Sequence, residues 1–276
     1  MKKLGFVTVL FGGLLFLYGT LFFPDFGDPQ SPASRHLSPY YLENGIAQTE
    51  VPNIVTAVLA DYRGYDTMFE TAVIFSAGLA CFFLLRRFSG KSERARLYRH
   101  KSTGIIFVVE QDSKGPKKLS NFERIDSQWT PYDVIVKTTC RLVIPLIQLF
   151  ALYVIAHGHH SPGGGFQGGV ILGATVILFA LSHNLRSTIR KFSERLGALL
   201  AVGGVMLYAG TGLLCLLLGL NYLDYSALAP LLGVSETMAR SHGILIVEIG
   251  VGLAVMAIMV WIYFNISSSG EHEEGL

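Results

Sequence analysis

The stretch from His242 to Ile266, HGILIVEIGVGLAVMAIMVWIYFNI, carries a single acid, Glu248, and no base other than the histidine at its edge. A helix rises 1.5 Å per residue, so about 20 mainly apolar residues cross the roughly 30 Å hydrocarbon core of a bilayer. Five more stretches meet that requirement: Leu4 to Phe23, Phe69 to Leu85, Asp133 to Ala156, Phe166 to Ser182 and Leu196 to Leu220. The chain is therefore read as an all-α integral membrane protein with about six transmembrane helices. Its 276 residues average +0.45 in hydropathy with only 15% charged residues, a balance that excludes a soluble enzyme.

The distribution of charge predicts orientation. Lys and Arg accumulate in cytoplasmic connections. Two precede the first stretch, eleven lie between Arg86 and Trp129, and four between Arg186 and Arg195. The alternate connections hold only Arg35 and Arg63, then none, then Arg240. Both termini are thus expected in the cytoplasm, in agreement with an even number of spans. The first stretch is too long for a signal peptide, and Pro24-Asp25 follows it without a small-residue cleavage pattern, so an uncleaved helix is expected. A net charge of +2, spread by topology, gives no basis for nucleic-acid binding. Cys81, Cys140 and Cys215 each stand alone in apolar runs and read as packing residues.

The polar, basic stretch from Arg86 to Trp129 divides the chain. The expected organisation is a two-helix unit over residues 1–88, a basic cytoplasmic linker over 89–128 and a four-helix unit over 129–276. Within the linker, Thr103 to Glu110 alternates in polarity, as either a strand or an interfacial segment would. The run from Pro52 to Ala60 is too short to span and suggests an interfacial or re-entrant helix.

An ionisable group inside hydrocarbon costs about 2.5 to 3.5 kcal/mol on insertion scales, so each is a functional candidate. Glu248 is the sharpest, flanked by Gly250 and Gly252, which would admit another helix or water. It could relay protons, or pair structurally with a neighbouring helix. Lys137 and Arg141 share one face near the start of the third span and could snorkel to the cytoplasmic interface, while Lys137 could instead turn inward to meet an acid. Pro145 should kink that span and free a carbonyl. Asp61, Arg63, Asp66 and Glu70 gather at the boundary of the second span. Arg63 can pair with either aspartate, and Glu70 shares a helical face with Asp66. A surface salt-bridge cluster is the plain alternative.

Between the third and fourth spans lies His157-Gly-His159-His160-Ser-Pro162-Gly163-Gly164-Gly165-Phe166-Gln167-Gly168-Gly169. Zinc is disfavoured, because no Cys, Asp or Glu accompanies the histidines. A phosphate loop is disfavoured too, since neither a Gly-Lys-Ser/Thr nor a preceding strand is present. A tight backbone excursion at the outer membrane edge is expected, with histidine available to pass protons. Gly169, Gly173 and Ala174 continue a small-residue face suited to close helix packing. No metal or other cofactor is expected.

The glycine string, together with Glu248-Ile-Gly-Val-Gly252, resembles the MnhB-type subunit of the multisubunit Mrp-type Na+/H+ antiporters over roughly Trp129 to the end. The first part, with Asn53-Ile-Val-Thr-Ala-Val, Asp61-Tyr-Arg63-Gly, Asp66-Thr67 and Glu70, is similar to the small E-type subunit of membrane-bound hydrogenases, itself related to the C-terminal end of the large A-type subunit of the antiporters. The resemblance implies a fusion of two neighbouring subunits within a hetero-oligomeric complex. That complex would exchange Na+ for H+, alone or coupled to a hydrogenase-like redox module, in the inner membrane of a prokaryote. Its partners would be other hydrophobic antiporter subunits and lipid. His157, Pro162, Gly163, Gly164, Gly165, Phe166 and Gln167 match the family loop. Three roles remain distinct: an ion-translocating subunit using Glu70, Lys137 and Glu248, a structural assembly subunit, and a metal protein built on the histidines.

Overall fold

The computed structural model describes residues 2–85, 96–109, 121–125 and 134–268. Among the described residues six helices are long and apolar enough to cross a membrane, each within a few residues of its expected place apart from an earlier start in two of them. They are α1 (Lys2–Thr20), α4 (Gly64–Leu85), α5 (Val134–Ala156), α6 (Gly165–Ser182), α8 (Glu194–Leu217) and α10 (Glu236–Ser267). Shorter helices α2 (Ser38–Thr49), α3 (Ile54–Ala57), α7 (Leu185–Lys191) and α9 (Ala229–Leu232) lie between them.

The chain forms two compact units, Met1–Gly45 and Ile46–Leu276. The first contains α1, a turn of π-helix at Ala33–Leu37 and most of α2. None of the apolar window of α1 is buried, as expected for a helix whose natural surroundings are lipid or another subunit.

In the second unit α10 is the central element, with two thirds of its apolar window buried (67%). Its neighbours are α8, α6 and α4. Lipid is as apolar as leucine, so these helices gain from close van der Waals packing in place of the hydrophobic effect, and small residues set how close they come. A Cβ placed on Gly169 would lie 2.6 Å from the carbonyl oxygen of Gly252, and one on Gly204 only 2.3 Å from that of Gly250. Side-chain caps start α7, α8 and α10. Asn184 accepts from Ser187 N at 2.6 Å, and Ser193 and Ser235 accept from Leu196 N and Met238 N, each at 3.2 Å. Helix α5 packs mainly along α6 and remains continuous through Pro145.

The run expected to be an interfacial or re-entrant helix is a broken helix. Asn53 caps α3, which passes into a turn of π-helix at Val58–Tyr62 before α4 begins at Gly64. Two buried tyrosines secure this break: Tyr225 Oη donates to Ala60 O at 3.0 Å and Tyr208 Oη to Gly64 O at 2.8 Å. The expected linker at 89–128 contains more structure than a linker. Its described residues form a three-stranded antiparallel sheet, β1 (Arg96–His100), β2 (Ile106–Val109) and β3 (Phe122–Ile125), in the order β2-β1-β3. Tyr98 pairs with Phe107 and His100 with Phe122, and the Phe107 and Phe122 rings meet edge to face. Of the two forms open to that segment, the strand is adopted over Ile106–Val109, and Glu110 lies outside the described residues. The rest of the basic stretch lies outside the described residues.

Candidate functional site

The hairpin after α5 reverses within a few residues because glycine tolerates the backbone it needs. Gly164 adopts φ +148°, which L-residues rarely occupy, and then caps α6. The lack of side chains at these glycines also allows the hairpin to close on Glu248 of α10. A Cβ on Gly158 would lie 2.7 Å from Glu248 Oε2, one on Gly164 2.7 Å from Oε1, and one on Gly165 1.9 Å from the Glu248 carbonyl oxygen. The carboxylate is thus ringed by glycine backbone at the N-terminal end of α6, where unpaired N–H groups and the helix dipole favour negative charge. Glu248 is 9% exposed, and its Oε2 has no hydrogen-bond partner among the described residues.

Glu248 lines a half-open cavity of about 530 Å³. Glu70, Thr71, Thr56, Gly163, Gly164, Gly165, Phe166, Gln167 and Tyr208 line it as well, with apolar wall from Val55, Leu59, Ile74 and Val251. Two carboxylates therefore face one cavity whose lining, among the described residues, includes no Lys, Arg or His. Glu248 is at its buried side and Glu70 is exposed. The two acids expected from separate halves of the chain, Glu70 and Glu248, are brought together with the glycine loop.

The other candidates go elsewhere. Arg63 pairs with Asp66, both substantially exposed, which matches the surface salt-bridge alternative. Asp61 has a different partner, Arg240, whose Nε lies 3.7 Å from Asp61 Oδ2 and whose Nη2 lies 3.9 Å from Asp224 Oδ1. Burial pushes the Asp61 carboxyl up to about 6, opposed by Arg240 and reinforced by Asp224. Lys137 is half-buried near the start of α5 and does not line the cavity. Helical rise puts it about 30 Å along α5 from His157, at the opposite end. Pro162 is exposed in the hairpin.

The three hairpin histidines separate. His157 is exposed and stacks on Tyr153, with ring centroids 4.3 Å apart, and His160 is exposed. His159 is buried, and its Nε2 lies 3.0 Å from Ser241 O, so that nitrogen carries the proton and donates. Burial lowers its pKa, the Ser241 bond raises it, and His160 and His242 lower it further. Among the described residues no group of three or more His, Cys, Asp or Glu is placed to hold a metal ion.

Sequence reasoning did not single out Asn53 and Thr56 as side chains that act on the hairpin. Asn53 Nδ2 donates to Gly158 O at 2.9 Å and to Ser161 O at 2.8 Å. Its backbone N–H donates to His159 O, and Thr56 Oγ1 donates to Gly158 O at 2.8 Å. An Asn preceding an apolar helical run signals a cap, but no local pattern reveals a partner more than a hundred residues away. Arg240, the sole Lys or Arg between the fifth and sixth expected spans, was a visible hint to an acid on the same side.

Comparison with known proteins agrees with both halves of the resemblance. A domain related to the MnhB subunit of Na+/H+ antiporters matches residues 135–261, and the MbhE family, described as the E subunit of MBH, matches residues 28–102. The B subunit of the Na+/H+ antiporter of Bacillus subtilis is 32% identical over 144 residues, covering 51% of this chain and 95% of that one. A probable A/B subunit of a K+/H+ antiporter of Rhizobium meliloti is 26% identical over 155 residues, which make up 56% of this chain but only 15% of that protein. The chain likewise spans 63% of another curated relative, from Methanocaldococcus jannaschii. A chain of the membrane-bound sulfane sulfur reductase, an archaeal respiratory membrane complex, superposes with a TM-score of 0.61 at 26% identity, covering 96% of this chain and 97% of that one.

With its spans, this protein is a multi-pass protein of a prokaryotic membrane. The chain belongs to the MnhB-related family of Na+/H+ antiporter subunits.

Proposed function

We propose that this chain is an ion-translocating subunit of a complex that exchanges a cation, Na+ in the first instance, for protons, and that Glu248 is the carboxylate the moving ion meets. The observation that carries this reading is the pairing of a buried, incompletely partnered Glu248 with Glu70 on one cavity that no basic residue lines among the described residues. A carboxylate kept in a membrane helix without a counter-charge is costly unless a proton or metal cation neutralises it. Exchange of one for the other at the same oxygen atoms is the elementary act of an antiporter. Glu70 would form the mouth of the path. Asp61, Asp66 and Arg63 would order its surroundings by pairing, away from the ion itself, and Lys137, at the far end of α5, would lie apart from the path.

The chain would combine an MbhE-like part, residues 1–88, with an MnhB-like part, residues 129–276, joined through 89–128. The two family matches, at 28–102 and 135–261, support that division, with the first reaching into the basic stretch. The Lys and Arg asymmetry supports cytoplasmic termini and a cytoplasmic position for the small sheet. The likeness to a chain of a sulfane sulfur reductase complex supports coupling to a redox module.

A second reading has its own observation. The glycine contacts at Gly165, Gly169 and Gly204 make α10 a tight packing element, as a role in assembly would require. Na+-dependent proton exchange in inverted vesicles containing the whole complex separates the two. Glu248→Gln is expected to abolish exchange while a blue native gel shows the complex intact. Exchange that survives, or is lost only together with assembly, supports the assembly role.

A further inference from the structure

We propose that Asn53 and Thr56 are positioning residues that set the response of the Glu248 site to cation and proton by holding the hairpin around its carboxylate. The inference rests on the reading of Glu248 given above.

Glu248 is enclosed on two sides by Gly158 and Gly164, at either end of the hairpin. The backbone of that hairpin carries carbonyls that no helix satisfies, and a buried carbonyl needs a donor. Three of them receive one from the broken helix. Gly158 O accepts from both Asn53 Nδ2 and Thr56 Oγ1, Ser161 O accepts from Asn53 Nδ2, and His159 O accepts from Asn53 N. Gly158 is thereby clamped through its carbonyl at the same residue whose Cα faces Glu248 Oε2. Thr56 is buried and lines the cavity as well. The segment matching MbhE thus controls the geometry of an acid in the segment matching MnhB. This gives a physical reason for the two to work as a pair.

The side chains of the clamp make three short, directional bonds, so small changes test it. Thr56→Val keeps the shape and removes one donor. Asn53→Asp keeps the oxygen that caps Val55 N but sets a carboxylate against the two carbonyls it formerly bonded. Thr56→Ser preserves the donor and serves as the rescue.

The experiment compares these variants with wild type and Glu248→Gln in inverted vesicles of the whole complex. Exchange is measured as a function of Na+ concentration and pH, with assembly checked by blue native gel. The expected result is an assembled complex in which Thr56→Val and Asn53→Asp change the Na+ concentration for half-maximal exchange about threefold or more. The pH midpoint is expected to move by about half a unit, the scale of one hydrogen bond, and Thr56→Ser to behave as wild type. Assembled variants with unchanged midpoints overturn the inference. So does loss of assembly in both variants, which assigns the bonds to folding alone; if only one assembles, its midpoints decide. Survival of exchange in Glu248→Gln overturns the underlying reading of Glu248 instead, so the two failures are told apart.

Discussion

Glu248 and Asp61 are both buried acids with an oxygen that makes no hydrogen bond among the described residues, yet they are resolved in opposite ways. Asp61, just before α4, has Arg240 at 3.7 Å, and Asp224 shares that guanidinium. Glu248, a third of the way into the longest helix, has glycine backbone and a cavity. A carboxylate with a fixed cation has its charge settled by the fold and holds elements together. One without a fixed cation leaves the neutralising charge to be supplied by something mobile. The contrast teaches that burial of an acid marks a transport candidate only when the counter-charge is missing as well.

The glycine ring gives the most severe way to break the comparison. Gly165→Ala would place a Cβ 1.9 Å from the Glu248 carbonyl oxygen, a contact between two backbones that cannot relax as a flexible side chain can. Strain beyond the usual overpacking cost of about 1–3 kcal/mol is expected, so the variant should fail to give assembled complex on a blue native gel.

At the other acid, Arg240→Gln removes the counter-charge from Asp61. Breaking a fully buried pair costs about 3–5 kcal/mol, and a 3.7 Å gap with Arg240 28% exposed argues for less, about 2–3 kcal/mol. Thermal unfolding of detergent-solubilised protein should show that loss, and adding Asp61→Asn should recover most of it. If the double variant is no better than Arg240→Gln alone, the two residues are not coupled.

The raised pKa of Asp61 sharpens the contrast further. Its folded value, about 6, lies above the ordinary 3.8, so the folded protein binds the proton more tightly. The protein is therefore expected to lose stability as pH rises from about 4 to 6 and to level off above that, and Asp61→Asn should flatten this slope in a pH series of melting temperatures. A slope that survives the substitution would assign the titration to another group. The smallest effect belongs to Arg63→Gln, because an exposed ion pair such as Arg63–Asp66 contributes below about 1 kcal/mol. Its melting temperature should stay near that of wild type.

Much of this was legible in residues alone. The spans needed only hydropathy, since a run such as Leu196–Leu220 has no alternative solvent. Glu248 stood out because charge in hydrocarbon is rare, Glu70 because it belongs to a charged cluster at a span boundary, and the glycine string because so many consecutive glycines mark a tight backbone excursion. The sheet was only half visible: β2 is an apolar run, but β1 and β3 are short, carry charged residues and lie in a stretch that otherwise reads as linker. Of the two aspartates open to Arg63 it takes Asp66, and the partner that Asp61 takes, Arg240, was out of reach of local spacing, which ranks only near neighbours.

Hydropathy and charge, read along the chain, are sums over neighbouring residues, and they settle the membrane class, the number of spans and the identity of the unusual acids without coordinates. Which acid meets a base, which faces a cavity, and that Asn53 and Thr56 clamp a hairpin beyond residue 156 were decided by tertiary structure. Those are pairings between groups distant in sequence, set by how close glycine lets two backbones come, and no local pattern encodes that distance.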